Sequence, residues 1–166
     1  MSVKRLHPAF SRVPLRRRGR GFTLLEIAIA GAVVGLLAAI AVPSYAAIME
    51  RQKVEQAGRD LVAISQQIER YRTLHFAVPE NLSDLGTAIP QDPWGHDYQY
   101  LNFASPAPGV AGMIRKDHNL HPLNTEFDLY SEGKDGSSMP PLTATASQDD
   151  VIWARDGGFV GLASDY

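Results

Sequence analysis

The hydrophobic pattern divides the chain into three textures. After a polar, basic start, residues 22–42 are apolar apart from Thr23 and Glu26, and residues 27–42 carry no charge. About 20 helical residues rise ~30 Å, enough to cross the hydrocarbon core of a bilayer. Beyond Pro43 the apolar positions thin to Val54, Ala57, Leu61, Ile64, Ile68, Tyr71 and His75, at alternating steps of three and four. That spacing marks one narrow face of a helix. Glu55, Gln56, Arg59, Asp60, Gln66, Gln67, Glu69 and Arg70 fall on the solvent side. A proline inside a helix removes one backbone hydrogen bond and bends the axis, but the stripe beyond Pro43 shows the helix continuing. The prediction is one long helix over 22–76. Its second half is too narrowly apolar to be buried all round, and its simplest use is packing on a small sheet. A coiled coil of three heptads is the other use of the same spacing.

The texture changes again after His75. Pro79-Glu80-Asn81-Leu82-Ser83-Asp84-Leu85-Gly86 reads as a turn with at most one short helix, stopped at the glycine. Pro90, Pro93, Gly95, Pro106, Pro108, Gly109 and Gly112 then come too close together for long elements. Short strands are predicted over 98–103, 110–115, 126–131 and 151–154, paired antiparallel because their connections are too short for helical crossovers. Asp156-Gly157-Gly158 favours a tight turn. Residues 159–162 then return as an edge strand or lie extended against a neighbouring molecule. The fold class is α+β. Residues 77–166 make one small head, which needs the amphipathic half of the helix to complete its core.

Charge sharpens the first boundary. Of 16 Lys and Arg, seven precede Phe22 (Lys4, Arg5, Arg12, Arg16, Arg17, Arg18 and Arg20), and none of the 18 acids does. The net charge of −2 therefore conceals a leader of +7 and a remainder with nine bases against 18 acids. A basic segment directly before an apolar run stays on the cytoplasmic side. The acidic remainder is unsuited to nucleic acid and attracts cations. An ordinary secretory signal cut near Ala39-Ile40-Ala41, or a twin-arginine signal at Arg16-Arg17-Arg18, also starts basic and turns apolar. Neither has a use for a carboxylate inside the apolar run. A lone acid there is costly and rare.

The run Arg20-Gly21-Phe22-Thr23-Leu24-Leu25-Glu26 resembles the processing signal of type IV prepilins and type II secretion pseudopilins. The resemblance implies a leader, 1–21, removed by a prepilin peptidase that cuts after Gly21 and methylates the new amino group of Phe22. It implies that 22–42 spans the inner membrane and packs in the core of a filament, that Pro43 is a familiar kink, and that the head lies in the periplasm. Glu26, a carboxylate too expensive to bury alone, would pair with the methylated Phe22 amine of an adjacent subunit. The implied partners are further copies, minor pseudopilins, the peptidase, an inner-membrane assembly platform and membrane lipid. Gly31 and Gly35 form a G-x-x-x-G pair that permits close helix approach, or reflect an Ala/Gly-rich helix and nothing more.

The chain has no cysteine, so no disulfide staples this small exported head. Many type IV pilins close their carboxyl-terminal region with a disulfide, whereas the major pseudopilin of type II secretion is known for a calcium-stabilised loop. Asp92-Pro93-Trp94-Gly95 with Tyr98 and Tyr100, followed by Asp128-Leu129-Tyr130-Ser131-Glu132-Gly133-Lys134-Asp135-Gly136, is similar to that pseudopilin's head motifs in the same order. Carried over, the resemblance implies calcium held by Asp135, the backbone carbonyl of Glu132, and Asp150, with Asp149 as the alternative to Asp150. Calcium takes six to eight hard oxygens, and two carboxylates with carbonyls suit that demand. The segment 137–148 is longer than the family's usual loop, and the tail from Asp156 departs from the family's ending. A type IV pilus or a separate pilus-like apparatus therefore stays open as the alternative.

Two rival classes remain. A hydrolase needs a nucleophile, base and orienting group, or an open metal. There is no Cys and no G-x-S-x-G, and His118 and His121 with Asp117 sit in a polar loop, so the chain is read as no enzyme. A monomeric membrane-anchored binding module needs no Glu26.

Overall fold

The computed structural model describes residues 21–104, 109–118 and 120–166; the proposed leader, all but Gly21, lies outside them. Contacts divide the chain into two units at Val42/Pro43. In the first unit, helix α1 begins, the whole element being Leu24–His75 with Pro43 inside it. Phe22, Leu24, Leu25, Ile27, Val34, Leu36, Leu37 and Ile40 are all exposed there. Among the described residues, one helix is long and apolar enough to cross a membrane, and it is this one.

The second unit builds its core on the later half of α1. Ala57, Leu61, Ile64 and Ile68 are buried, four members of the predicted stripe, while Tyr71 is half-buried and His75 exposed against it, the two rings stacked at 4.0 Å. The stripe meets a four-stranded antiparallel meander: β1 (Gln99–Asn102), β2 (Phe127–Ser131), β3 (Val151–Ala154) and β4 (Phe159–Leu162), in the spatial order β1-β2-β3-β4. Leu129 opposes Trp153 and Tyr130 opposes Ile152. Because side chains alternate along a strand, Phe127, Leu129, Val151 and Trp153 pack on the helix. Phe127 and Trp153 stack at 4.8 Å. Each large aliphatic side chain removed from water here contributes about 1.5–3 kcal/mol. The spacing thus serves a helix-on-sheet contact and not a coiled coil.

The other sheet face is covered too. Ile152 and Ala154 join Leu123, Leu142 and Ala163 in a second cluster, flanked by Tyr130, Phe159 and Tyr166. The segment around Lys116 pairs with the segment around Pro141 to make this cover. The strand expected over 110–115 is therefore a correction. Val110–Gly112 forms a 3-10 turn, because Gly109 and Gly112 favour turning and the neighbouring chain is needed as a lid over the sheet. The expected strand at 159–162 is present as an edge, and the short helix before Gly86 is the 3-10 turn Leu82–Leu85, stopped by Gly86 at φ 68°.

Candidate functional site

Two places carry the residues singled out from the sequence, one in each unit. At the amino-terminal end, Gly21 and Phe22 precede α1, and Thr23 occupies the capping position. The Glu26 amide donates to Thr23 Oγ1 at 3.2 Å, and the Thr23 amide reaches back to Glu26 Oε2 at 3.5 Å. This reciprocal pair is a capping box, and Thr-x-x-Glu is its sequence signature. Beside the expected pairing with a neighbour's Phe22 amine, Glu26 thus has a partner within its own chain. Within a single chain the carboxylate satisfies the start of its own helix and sits where the helix dipole favours an anion. Pro43 lies inside α1.

In the head, the Asp92-Pro93-Trp94-Gly95 turn is built around a buried carboxylate. Asp92 Oδ1 accepts the amides of Trp94 (3.0 Å) and His96 (2.8 Å), and Oδ2 accepts the Ser131 hydroxyl at 2.5 Å. Ser131 Oγ in turn accepts the Gly133 amide, so the turn fixes the chain where β2 ends. Trp94 Nε1 donates to Glu50 on α1 at 2.8 Å, and Tyr98 donates to Asp60 at 2.9 Å. Burial first, then the hydrogen bond to Asp60 and its charge, pushes the Tyr98 phenol up, well clear of ionisation.

The four residues of the calcium expectation separate into two groups. Asp149 Oδ2 accepts the amides of Lys134 and Asp135 at 2.9 and 3.0 Å, closing the loop that carries Glu132. Gly133 has φ 65°, and a Cβ there would stand 2.2 Å from the Asp149 carbonyl oxygen. Asp135 Oδ1 accepts the Ser137 amide at 2.8 Å. Asp150 belongs to a different group. Its Oδ2 lies 2.5 Å from Arg115 Nη2 and accepts the Ser138 hydroxyl at 2.6 Å, while Arg115 also donates to Ser138. Burial pushes the Asp150 carboxyl up to about 6, against the pull of Ser138 and Arg115, which leaves it ionised opposite the guanidinium at neutral pH. Arg115 lies over the Tyr130 ring at 4.1 Å, and its amide donates to Asp128 at 2.7 Å. Burial raises the Asp128 carboxyl, and that amide and Asn124 pull it back.

For a calcium ion these side chains fit poorly. Asp150 faces a guanidinium, Asp149 Oδ2 is taken by two amides, and among the described residues no group of three or more His, Asp or Glu could share a metal. The sequence gives Arg115 no role, and places Asp128 at the start of a head motif without assigning it one. An aspartate between Phe127 and Leu129 reads as the wet face of a strand until something covers that face.

The chain is 32% identical over 142 residues to type II secretion system core protein G of Pseudomonas aeruginosa, covering 73% of this chain and 87% of that protein. It is 29% identical to the protein of the same name from Dickeya chrysanthemi, over 74% of this chain and 82% of the relative. The one from Vibrio cholerae is also 29% identical, over 72% and 84%. No family model and no solved structure matches the chain.

Proposed function

We propose a function from one premise: the chain belongs to the type II secretion system core protein G family, and is accordingly a pseudopilin subunit of type II secretion. Its role is structural, with no catalytic step of its own. Residues 1–21 act as a leader that a prepilin peptidase removes after Gly21, methylating Phe22. The segment 22–42 holds the subunit in the inner membrane with the head in the periplasm. It then leaves the lipid for the core of a filament of further copies and minor pseudopilins, assembled on an inner-membrane platform.

The observation that carries this reading is the segment itself. Its large apolar side chains are exposed in the single chain, and its only carboxylate is Glu26. A helix with apolar side chains all round needs lipid or other helices as its surroundings. Glu26, which caps its own helix through Thr23 in the single chain, would exchange that bond for the methylated Phe22 amine of a neighbour, so that insertion into the filament sets the axial step. The cation partner is worth more than the amide because both ends of that bond carry full charge, and a dry core screens their attraction least.

Mass spectrometry of the mature protein from membranes tests the reading. The expected amino terminus is Phe22 carrying one methyl group. A mature form beginning at Val42, the product of a signal cut after Ala41, would remove the filament reading altogether.

A further inference from the structure

We propose that Arg115 is the built-in cation of this head: its guanidinium, in place of a divalent ion, neutralises Asp150 and anchors the segment 137–150 to the sheet. The inference goes beyond the family assignment and does not depend on it. Arg115 and Asp150 are both buried, their side chains 3% and 0% exposed. Ser138 bridges them from the far side of the long loop, donating to Asp150 while accepting from Arg115. Arginine suits such a place because its planar fork stays charged and stacks on an aromatic face, here that of Tyr130. The backbone at Arg115 is itself held by Asp128, which Asn124 also binds at 3.1 Å.

The cation is therefore positioned by three elements: β2 through Asp128 and Tyr130, the lid through its own backbone, and the loop through Ser138. Among the described residues, the two buried side-chain polar atoms without a hydrogen-bond partner are Arg115 Nε and Asp150 Oδ1. They are one donor and one acceptor of the same two residues, left unmatched beside the bond from Nη2 to Oδ2. A divalent ion placed on Asp150 would meet the guanidinium first, and like charges in a buried site repel strongly.

The other task assigned to a loop ion, drawing 132–136 against the chain before β3, is done by Asp149. Its carboxylate collects two successive backbone amides, an anion seated in a small nest of N–H groups. The close approach of Gly133 to the Asp149 carbonyl leaves that seat tight. Cation and anion are thus both supplied by the chain, on opposite sides of the Asp149-Asp150 dipeptide.

The test uses the full-length chain in detergent micelles, melted in millimolar calcium chloride and in chelator, with tryptophan fluorescence as the readout. The expected midpoints coincide. A site filled to 100 times its Kd would raise the midpoint by roughly 10 °C in a domain of this size, and a calcium-dependent rise of that order overturns the proposal. A second measurement separates charge pairing from packing. Arg115→Met leaves Asp150 buried without a counter-ion, so its midpoint should fall steeply, and adding Asp150→Leu should restore part of the loss. Strictly additive losses overturn the pairing. If Arg115→Met does not fold, the double variant decides alone: a folded double supports the proposal, and an unfolded one overturns it.

Discussion

The two halves of α1 solve opposite problems. Before Pro43, Leu37, Ile40 and their neighbours are exposed apolar groups on a helix with one carboxylate at its start. After it, Leu61, Ile64 and Ile68 are hidden. The sheet they cover conceals charge on its far side, where Asp128 and Asp150 are buried with Arg115. The first region leaves its apolar side chains uncovered by the rest of the chain. The second is completed from within: Arg115 pairs with Asp150, and Asp128 accepts the Arg115 amide and Asn124. One chain therefore carries a segment that leaves its apolar surface open and a head that buries its own.

The sharpest way to break this comparison is to make the same change in both halves of one helix. Leu61→Ala should cost the head about 2–5 kcal/mol, the usual cost of truncating a core leucine. Leu37→Ala should leave head unfolding within about 0.5 kcal/mol of the parent. Both tryptophans lie in the head, so denaturant titration of the full chain in detergent, followed by tryptophan fluorescence, reads this difference directly. Equal losses from the two variants would show that the halves unfold as one body.

A smaller effect contrasts two glycines. Gly133→Ala places a methyl group 2.2 Å from the Asp149 carbonyl at φ 65°, and should cost about 1–3 kcal/mol through strain and loss of the loop's seat. Gly35→Ala meets nothing within 4 Å in the single chain and should not change head stability. Any defect it causes should appear only in assembly, where close helix approach matters. An unaltered melt for Gly133→Ala would mean that the loop moves aside without cost.

The smallest effect is a pH dependence. Burial raises the Asp128 carboxyl above its ordinary value of 3.8, so the folded state binds its proton more tightly than the unfolded one. By linkage, the stability this group contributes is fully present below its unfolded pKa and is lost as pH rises through the raised folded value. Asp128→Asn should therefore flatten the fall in stability over that acidic window. Parallel pH profiles for the two proteins would show that Asp128 ionises in the fold as freely as in water.

Much of this was legible in advance because it is written locally. The steps of three and four from Val54 to Ile68, the glycine ending the turn at Gly86, the apolar run at Val151–Ala154 and the Asp-Gly-Gly turn before β4 each follow from near neighbours alone. Thr23 and Glu26 were readable in the same way, as a Thr-x-x-Glu capping signature. The segment 110–115 was not, since a few apolar residues between glycines suit a strand as well as a turn, and only the need to cover the sheet's second face decided between them.

What the sequence by itself determined is the division of labour: a charge-free helical run long enough for a bilayer, an amphipathic continuation, and a small cysteine-free head. Those properties depend on periodicity and composition, which a linear string preserves. The tertiary structure alone decided which of the two adjacent aspartates does what. Consecutive residues point to opposite sides, so Asp149 turns to the amides of Lys134 and Asp135 while Asp150 turns to Arg115, 35 residues earlier in the chain. A charge's partner is set by where the chain returns, and no local pattern records that.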